Sequence, residues 1–439
     1  LAAIPLSVIA LELLARFATF ASGKSAELHA YEGEPALITA YRLKYLDRAG
    51  QPYDGLPDRG SLQVKRNTLR GYRLVGDQKT NVWQINRQGF RANEPIAQTK
   101  PADEVRIFVL GGSTAFGQLS SSNQTTFASK LESRLNQQVS LQKANPAKFR
   151  PDVLPYFADE LVKAMALPPR IRQSTYRVVN AAVPGYVSSN ELAQLSQQIL
   201  AYDPDFIVLL DGYADLLLPS QQEAADIPGI DHLLENASGH WTSTIGQRLR
   251  HLLYQSYLVR GFQYWVQRPH EKLSVVIPPT PDTEASLDQR LPETPEELNR
   301  RVARYRTNVQ QISRLAIAAQ VPLVLALQPE ITSRKPGSMS PREQQVLNQL
   351  GPAYLKQVKT SYDQLGEAIA EIKRSFPKGV TVLNLYDAYA SFPGEAFQDP
   401  IHLTDEANTK LADRLYESLS AQLLLQPKPF EATAVPLPQ

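Results

Sequence analysis

The strongest constraint on the fold is a set of five short, unbroken apolar runs. They are RIFVL from Arg106, YRVVNAA from Tyr176, DFIVLLDG from Asp205, VPLVLALQP from Val321 and VTVLNL from Val380. All are rich in β-branched residues, and none alternates polar with apolar. Continuous apolarity of this length marks strands buried on both faces, the signature of a parallel sheet. Helical periodicity fills the gaps. In TPEELNRRVARYRTNVQQISRLAIAA, Thr294 is placed to cap, Pro295 takes the first helical position and Glu297 closes a capping box. Leu298, Val302, Tyr305, Val309, Ile312 and Ala316 share one face of that helix, which therefore packs on the sheet. The last helix has Thr404 as its cap and Ala407, Leu411, Leu415 and Leu419 as its buried stripe. Strand and helix alternating in this way predict a three-layer α/β/α sandwich around a mostly parallel five-stranded sheet.

The sandwich is expected over 104–425, interrupted by insertions at 138–175, 216–294 and 329–345 that lie next to strand ends, where lids and substrate walls belong. An irregular or short-stranded extension (22–103) precedes it, and a Pro-rich tail (426–439) follows. Leu1–Ala21 is apolar apart from Glu12 and Arg16, which are spaced to neutralise each other on a helix, and its length approaches the ~20 residues that span a bilayer. We read it as a membrane anchor. The 46 basic and 44 acidic residues nearly cancel, with no basic run interleaved with aromatics, so nucleic acid is not an expected partner. The absence of cysteine excludes disulfides, thiolate metal sites and a thiol nucleophile. No metal or cofactor is expected.

The turn after the first run, LGGSTAFG, lacks the Lys of a P-loop and the G-x-G-x-x-G of a dinucleotide site. Its two glycines allow a sharp turn that would lift Ser113 at the carboxyl edge of the sheet, although a simple strand-to-helix connection would read the same way. A hydroxyl nucleophile needs a base and an orienting carboxylate. Five of the six histidines (His29, His232, His240, His251 and His270) fall in the extension or the long insertion, whereas His402 stands in QDPIHLTDEA, just before the last helix. Asp399 lies three residues earlier, with Pro400 stiffening the turn, so its carboxylate can reach Nδ1 while Nε2 turns toward Ser113.

Together these motifs resemble the SGNH, or GDSL-type, serine hydrolases, over roughly Arg106 to Leu424. GGST is similar to the family's first block, NAAVPGYVSS to the second, DGYAD to G-x-N-D and DPIH to the D-x-x-H that carries acid and base. The resemblance implies a flavodoxin-like SGNH-hydrolase fold, with Ser113, Asp399 and His402 as catalytic triad and the Gly185 backbone N–H as an oxyanion donor. INRQGFRANEP and the apolar N-terminus resemble a membrane-tethered branch, implying an extracytoplasmic site acting on acylated glycans or lipids. One departure stands out: Ala214 occupies the position of the Asn whose side chain donates to the oxyanion. Loss of one such donor typically costs about 10²–10³ in turnover, roughly 2.7–4 kcal/mol. Asn180, Asn190 and Tyr213 are candidate substitutes, and Trp241 and Trp265 are candidate sugar-stacking residues. Two functions follow as expectations: a tethered esterase or O-acyl-transferring enzyme, or a catalytically impaired accessory subunit serving as a binding or assembly module in a membrane complex.

Overall fold

The computed structural model describes residues 3–23, 36–53, 60–222, 256–265 and 287–430. Helices α1 (Ala3–Ala21) and α2 (Ala36–Tyr41) lead into a three-stranded sheet, β1 (Leu43–Leu46), β2 (Leu62–Asn67) and β3 (Gly71–Leu74), and a small hairpin, β4 (Gln78–Lys79) and β5 (Gln84–Ile85). The large unit then runs β6 (Glu104–Gly111), α3 (Ser113–Phe116), α4 (Phe127–Ala144), α5 (Ala158–Ala166), β7 (Thr175–Asn180), α6 (Ser188–Gln194), β8 (Phe206–Asp211) and α7 (Tyr213–Leu217). It continues with α8 (Tyr257–Trp265), α9 (Leu287–Arg290), α10 (Pro295–Ala318), β9 (Leu323–Leu327), α11 (Pro341–Ser375), β10 (Val380–Asn384) and α12 (Asp405–Gln422). All five apolar runs are strands.

These five strands form one sheet in the order β10-β9-β8-β6-β7, and every pairing in it is parallel. Counted along the chain this is the 2-1-3-4-5 order of flavodoxin-like folds, whose ligand crevice opens at the carboxyl ends beside the first and third strands. Alternation within each strand divides the core in two. Val105, Ile107 and Val109 face one way, with Leu131 and Leu135 of α4 and Leu411 and Leu415 of α12; Phe108 and Leu110 face the other, with residues of α10 and α11. Thr294 accepts from Glu297 N at 3.2 Å and Thr404 from Ala407 N at 3.2 Å, so both caps form. Glu297 does not close the expected box: its carboxylate takes Ser220 N (2.8 Å), Ser220 Oγ (2.6 Å) and Arg301 Nε (2.7 Å), which outbid the single N–H of the cap.

The extension shares the core of the large sheet. Tyr41, Tyr45, Leu62, Val64, Tyr72 and Trp83 are buried in one cluster with the strands, and the Tyr72 hydroxyl donates to Pro184 O at 2.7 Å. The membrane anchor needs correction. Among the described residues no helix is long and apolar enough to cross a membrane. Glu12 does pair with Arg16, at 3.0 Å, but it also takes Ser256 Oγ (2.7 Å) and the N–H groups of Tyr257 (2.8 Å) and Leu258 (3.1 Å), capping α8. Partial burial pushes its carboxyl up, but these donors outweigh that and hold it down at about 2. A fixed anionic cap in mid-helix suits a helix–helix contact. His29, His232, His240, His251, His270 and Trp241, and the side chain of Trp265, lie outside the described residues.

Candidate active site

β6 ends in Gly111, whose φ is +144°; a Cβ there would sit 2.2 Å from Leu210 O and 2.5 Å from the Ala115 Cβ. Only glycine makes this turn beside β8. The turn starts the four-residue α3 with Ser113 at its first position, and Gly117, at φ +80°, ends it in the left-handed region. Ser113 is half-buried, and among the described residues neither its hydroxyl nor its backbone N–H makes a hydrogen bond.

At the far end of the chain, Asp399 organises its own turn. Its Oδ1 accepts from Ile401 N (3.0 Å) and His402 N (2.8 Å), while Oδ2 lies 2.5 Å from His402 Nδ1. Both side chains are buried. A carboxylate at Nδ1 selects the Nδ1–H tautomer and leaves the Nε2 lone pair as the base. That atom is buried without a hydrogen-bond partner. Burial would raise the Asp399 carboxyl, but the contact with His402 and the hydrogen bonds from the His402 ring, His402 N and Ile401 N hold it below the ordinary carboxylate range. Because the folded-state value is depressed, the stabilisation from this pair is present above the unfolded carboxylate pKa and is lost as pH falls through that range. Asp399→Asn is therefore expected to flatten the acid-side fall of melting temperature below about pH 5, measurable by calorimetry.

Thr114 joins the two turns. Its Oγ1 donates to Ile401 O at 3.3 Å and accepts from Gln328 Nε2 at 3.1 Å. Asp399 and His402 are thus brought into direct contact and the turn bearing Ser113 is tied to theirs, but Ser113 and His402 are not hydrogen-bonded to each other. Catalytic hydrogen bonds are often long or absent before substrate binds.

On the other flank, Gly185, at φ +84°, follows β7, and its backbone N–H is likewise unbonded among the described residues. Val183 N donates to Gly111 O at 3.0 Å, keeping this loop beside the Ser113 turn. Ala214 lies one residue into α7, after Gly212, and is half-buried. None of the candidate substitutes for its missing amide is free. Asn180 Nδ2 is committed to Ala115 O and Phe116 O (both 3.1 Å), Asn190 Nδ2 to Arg70 O (3.2 Å), and the Tyr213 hydroxyl to that of Tyr354 (2.9 Å). Asn180 in this way braces the backbone of α3, the helix that Ser113 opens. Among the described residues no group of acidic or His side chains could hold a metal ion.

Sequence reasoning missed several residues that brace the site. Arg91, from the INRQGFRANEP stretch, is buried and donates to Phe116 O (3.0 Å), Gly117 O (2.7 Å), Ser122 O (3.2 Å) and Asn123 Oδ1 (2.9 Å). It clamps the C-terminal end of α3, where a cation also suits the helix dipole. Arg91→Ala is expected to cost about 2–4 kcal/mol of stability, because several buried carbonyls lose their donor; a denaturant titration reads this. Glu330, buried just beyond β9, accepts from Thr332 N (2.7 Å) and the Tyr354 hydroxyl (3.1 Å), and burial pushes it up to about 7. Its neighbour Ile331 donates from N to Pro400 O at 2.9 Å, so the QPE stretch supports both the Asp399 turn and, through Tyr354, Tyr213. The available signal was a charged residue three positions after the end of a wholly apolar strand.

No protein-family model matches the chain, and no curated protein matches it. Solved structures do. A lipase/acylhydrolase from Enterococcus faecalis aligns at 15% identity over 75% of this chain and 100% of its own, with a TM-score of 0.35. A catalytic mutant of an acetylxylan esterase from Geobacillus stearothermophilus aligns at 11% identity over 72% and 94%, at 0.34. A GDSL-like lipase from Bacteroides thetaiotaomicron aligns at 10% over 74% and 93%, at 0.31. Superpositions this loose carry no weight for chemistry, which rests on the residues themselves.

Proposed function

We propose that this protein is a serine esterase or O-acyl-transferring enzyme. The observation that carries the reading is the buried Asp399–His402 pair, at 2.5 Å, with Nε2 left without a partner beside a turn that presents Ser113. A buried imidazole nitrogen with no hydrogen bond is costly, and a site awaiting a reacting hydroxyl accounts for it. In the reaction, Ser113 Oγ attacks the ester carbonyl as its proton passes to His402 Nε2, and Asp399 stabilises the imidazolium. The backbone N–H groups of Ser113 and Gly185 receive the negative charge on the carbonyl oxygen. His402 then returns the proton to the leaving alcohol, and the acyl-Ser113 ester is released to water, giving hydrolysis, or to a sugar hydroxyl, giving transfer. Two backbone donors without a side-chain amide make this a handicapped oxyanion site, so the expected turnover is slow.

The alternative, an accessory subunit that keeps the fold for binding or assembly, is favoured by Ala214 alone. Hydrolysis of p-nitrophenyl acetate separates the two readings. The esterase reading expects the parent chain to exceed Ser113→Ala; equal rates would leave the accessory role standing. The exposed Leu13, Leu14, Phe17 and Phe20 of α1 support a further proposal, that the protein works at a membrane surface, on its extracytoplasmic side, on acylated glycans or lipids. Co-sedimentation with lipid vesicles, lost when these four residues become Ser, tests the membrane part.

A further inference from the structure

Next to the Gly185 loop and the Ala214 turn in the chain lie three buried carboxyls: Glu191 on α6, Asp211 at the end of β8 and Asp215 on α7. Asp215 is satisfied by Ser188, through N at 2.9 Å and Oγ at 2.5 Å, and Ser188 Oγ in turn accepts from Asn308 Nδ2 at 3.0 Å. Asp211 Oδ1 accepts from the Tyr305 hydroxyl at 3.0 Å. The other three oxygens, Asp211 Oδ2 and both of Glu191, meet no N–H or O–H donor. Instead the Glu191 and Asp211 carboxyls lie in hydrogen-bonding contact with each other. Two ionised carboxylates are acceptors only and repel, so this contact requires that one keep its proton.

The placement of the pair gives it a task. Glu191 follows Gly185 by six residues and Asp211 precedes Ala214 by three, so their bond spans from the second-strand loop to the third-strand turn. We propose that a proton shared between Glu191 and Asp211 is a clasp that fixes the Gly185 loop against the Ala214 turn, making Glu191 a positioning residue for oxyanion stabilisation. This rests on the esterase reading. A site short of one donor depends more on the placing of those that remain, and small misplacements are costly in rate.

The clasp is sensitive to alkali. Burial pushes the Asp211 carboxyl up to about 7 and the Glu191 carboxyl well above the ordinary carboxylate range. The groups facing the pair are Asp215 from α7, Tyr305 and Arg304 from α10, and Tyr186 from the Gly185 loop. Of these only Arg304 is cationic, and it lies by Asp215, bonding that residue's backbone O at 3.2 Å. Both carboxyls have folded-state values raised above the unfolded ones. Their stabilisation is therefore complete at low pH and is lost as pH rises from the carboxylate range through about 7 and beyond.

The test compares the full chain with Glu191→Gln and Glu191→Ala, by melting temperature and by p-nitrophenyl acetate turnover from about pH 5 to about pH 9. Glutamine keeps a donor for Asp211 and has no proton to lose. The expected result is a melting temperature that falls with rising pH in the parent and falls less in Glu191→Gln. Parent kcat should decline at alkaline pH while Glu191→Gln holds its rate. Glu191→Ala should lose about 10-fold in kcat near neutrality with KM little changed, and glutamine should restore most of it. A Glu191→Gln variant with the parent's pH slopes, or a Glu191→Ala variant with unaltered kcat, overturns the clasp. If the parent shows no Ser113-dependent turnover, the esterase reading falls, and the melting curves alone decide whether the clasp exists.

Discussion

Replacing Ser113 or His402 by alanine is expected to lower kcat/KM on p-nitrophenyl acetate by about 10⁴-fold each, and the double variant is expected to be no slower than either single one. The non-additivity is the informative part. A nucleophile without its base, or a base without its nucleophile, leaves the same residual catalysis from binding and the backbone donors, so the second loss has nothing left to remove. The Asp399–His402 bond at 2.5 Å survives Ser113→Ala, which removes only an Oγ that makes no hydrogen bond among the described residues. Its melting temperature should therefore stay near the parent's. Losses that multiply would mean that the two residues act separately, which the proposed proton transfer does not allow.

The second large effect has the opposite sign. Ala214→Asn is expected to raise kcat by about 10²–10³, the range in which one oxyanion donor is usually worth, with KM changed less. The backbone for it is already set, because Gly212 turns at φ +116° against Leu327, where a Cβ would come within 2.5 Å of that residue's Cδ1, and α7 then starts at Tyr213. The gain should be visible because Asn180, Asn190 and Tyr213 are committed elsewhere and supply no hidden substitute. An unchanged rate in a variant that melts like the parent would mean that an unrecognised group already fills the oxyanion site.

The five strands were legible because parallel strands buried on both faces must be continuously apolar, and the caps at Thr294 and Thr404 because capping is a local bargain between one side chain and one N–H. Asp399 and His402 were legible for the same reason: three residues and a proline determine their contact. What escaped was set by distance along the chain. Arg91 reaches α3 from an extension that looked irregular, and Tyr72 reaches Pro184 across 112 residues. Glu12 was read with its helical neighbour Arg16, and no local pattern announces that it also caps a helix more than two hundred residues away. Asn180 and Asn190 flank the Gly185 loop in sequence, but nearness in sequence does not reveal that their amides already bond Ala115 O, Phe116 O and Arg70 O.

In the proposed reaction His402 and Asp399 make Ser113 a nucleophile. A fluorophosphonate probe forms a covalent adduct only with an activated hydroxyl, so the direct measurement is peptide mass spectrometry of the labelled chain. A single stoichiometric adduct is expected on the peptide containing Ser113, abolished in Ser113→Ala and strongly slowed in His402→Ala. An unlabelled parent chain, or an adduct whose rate is indifferent to His402, would contradict the proposed reaction.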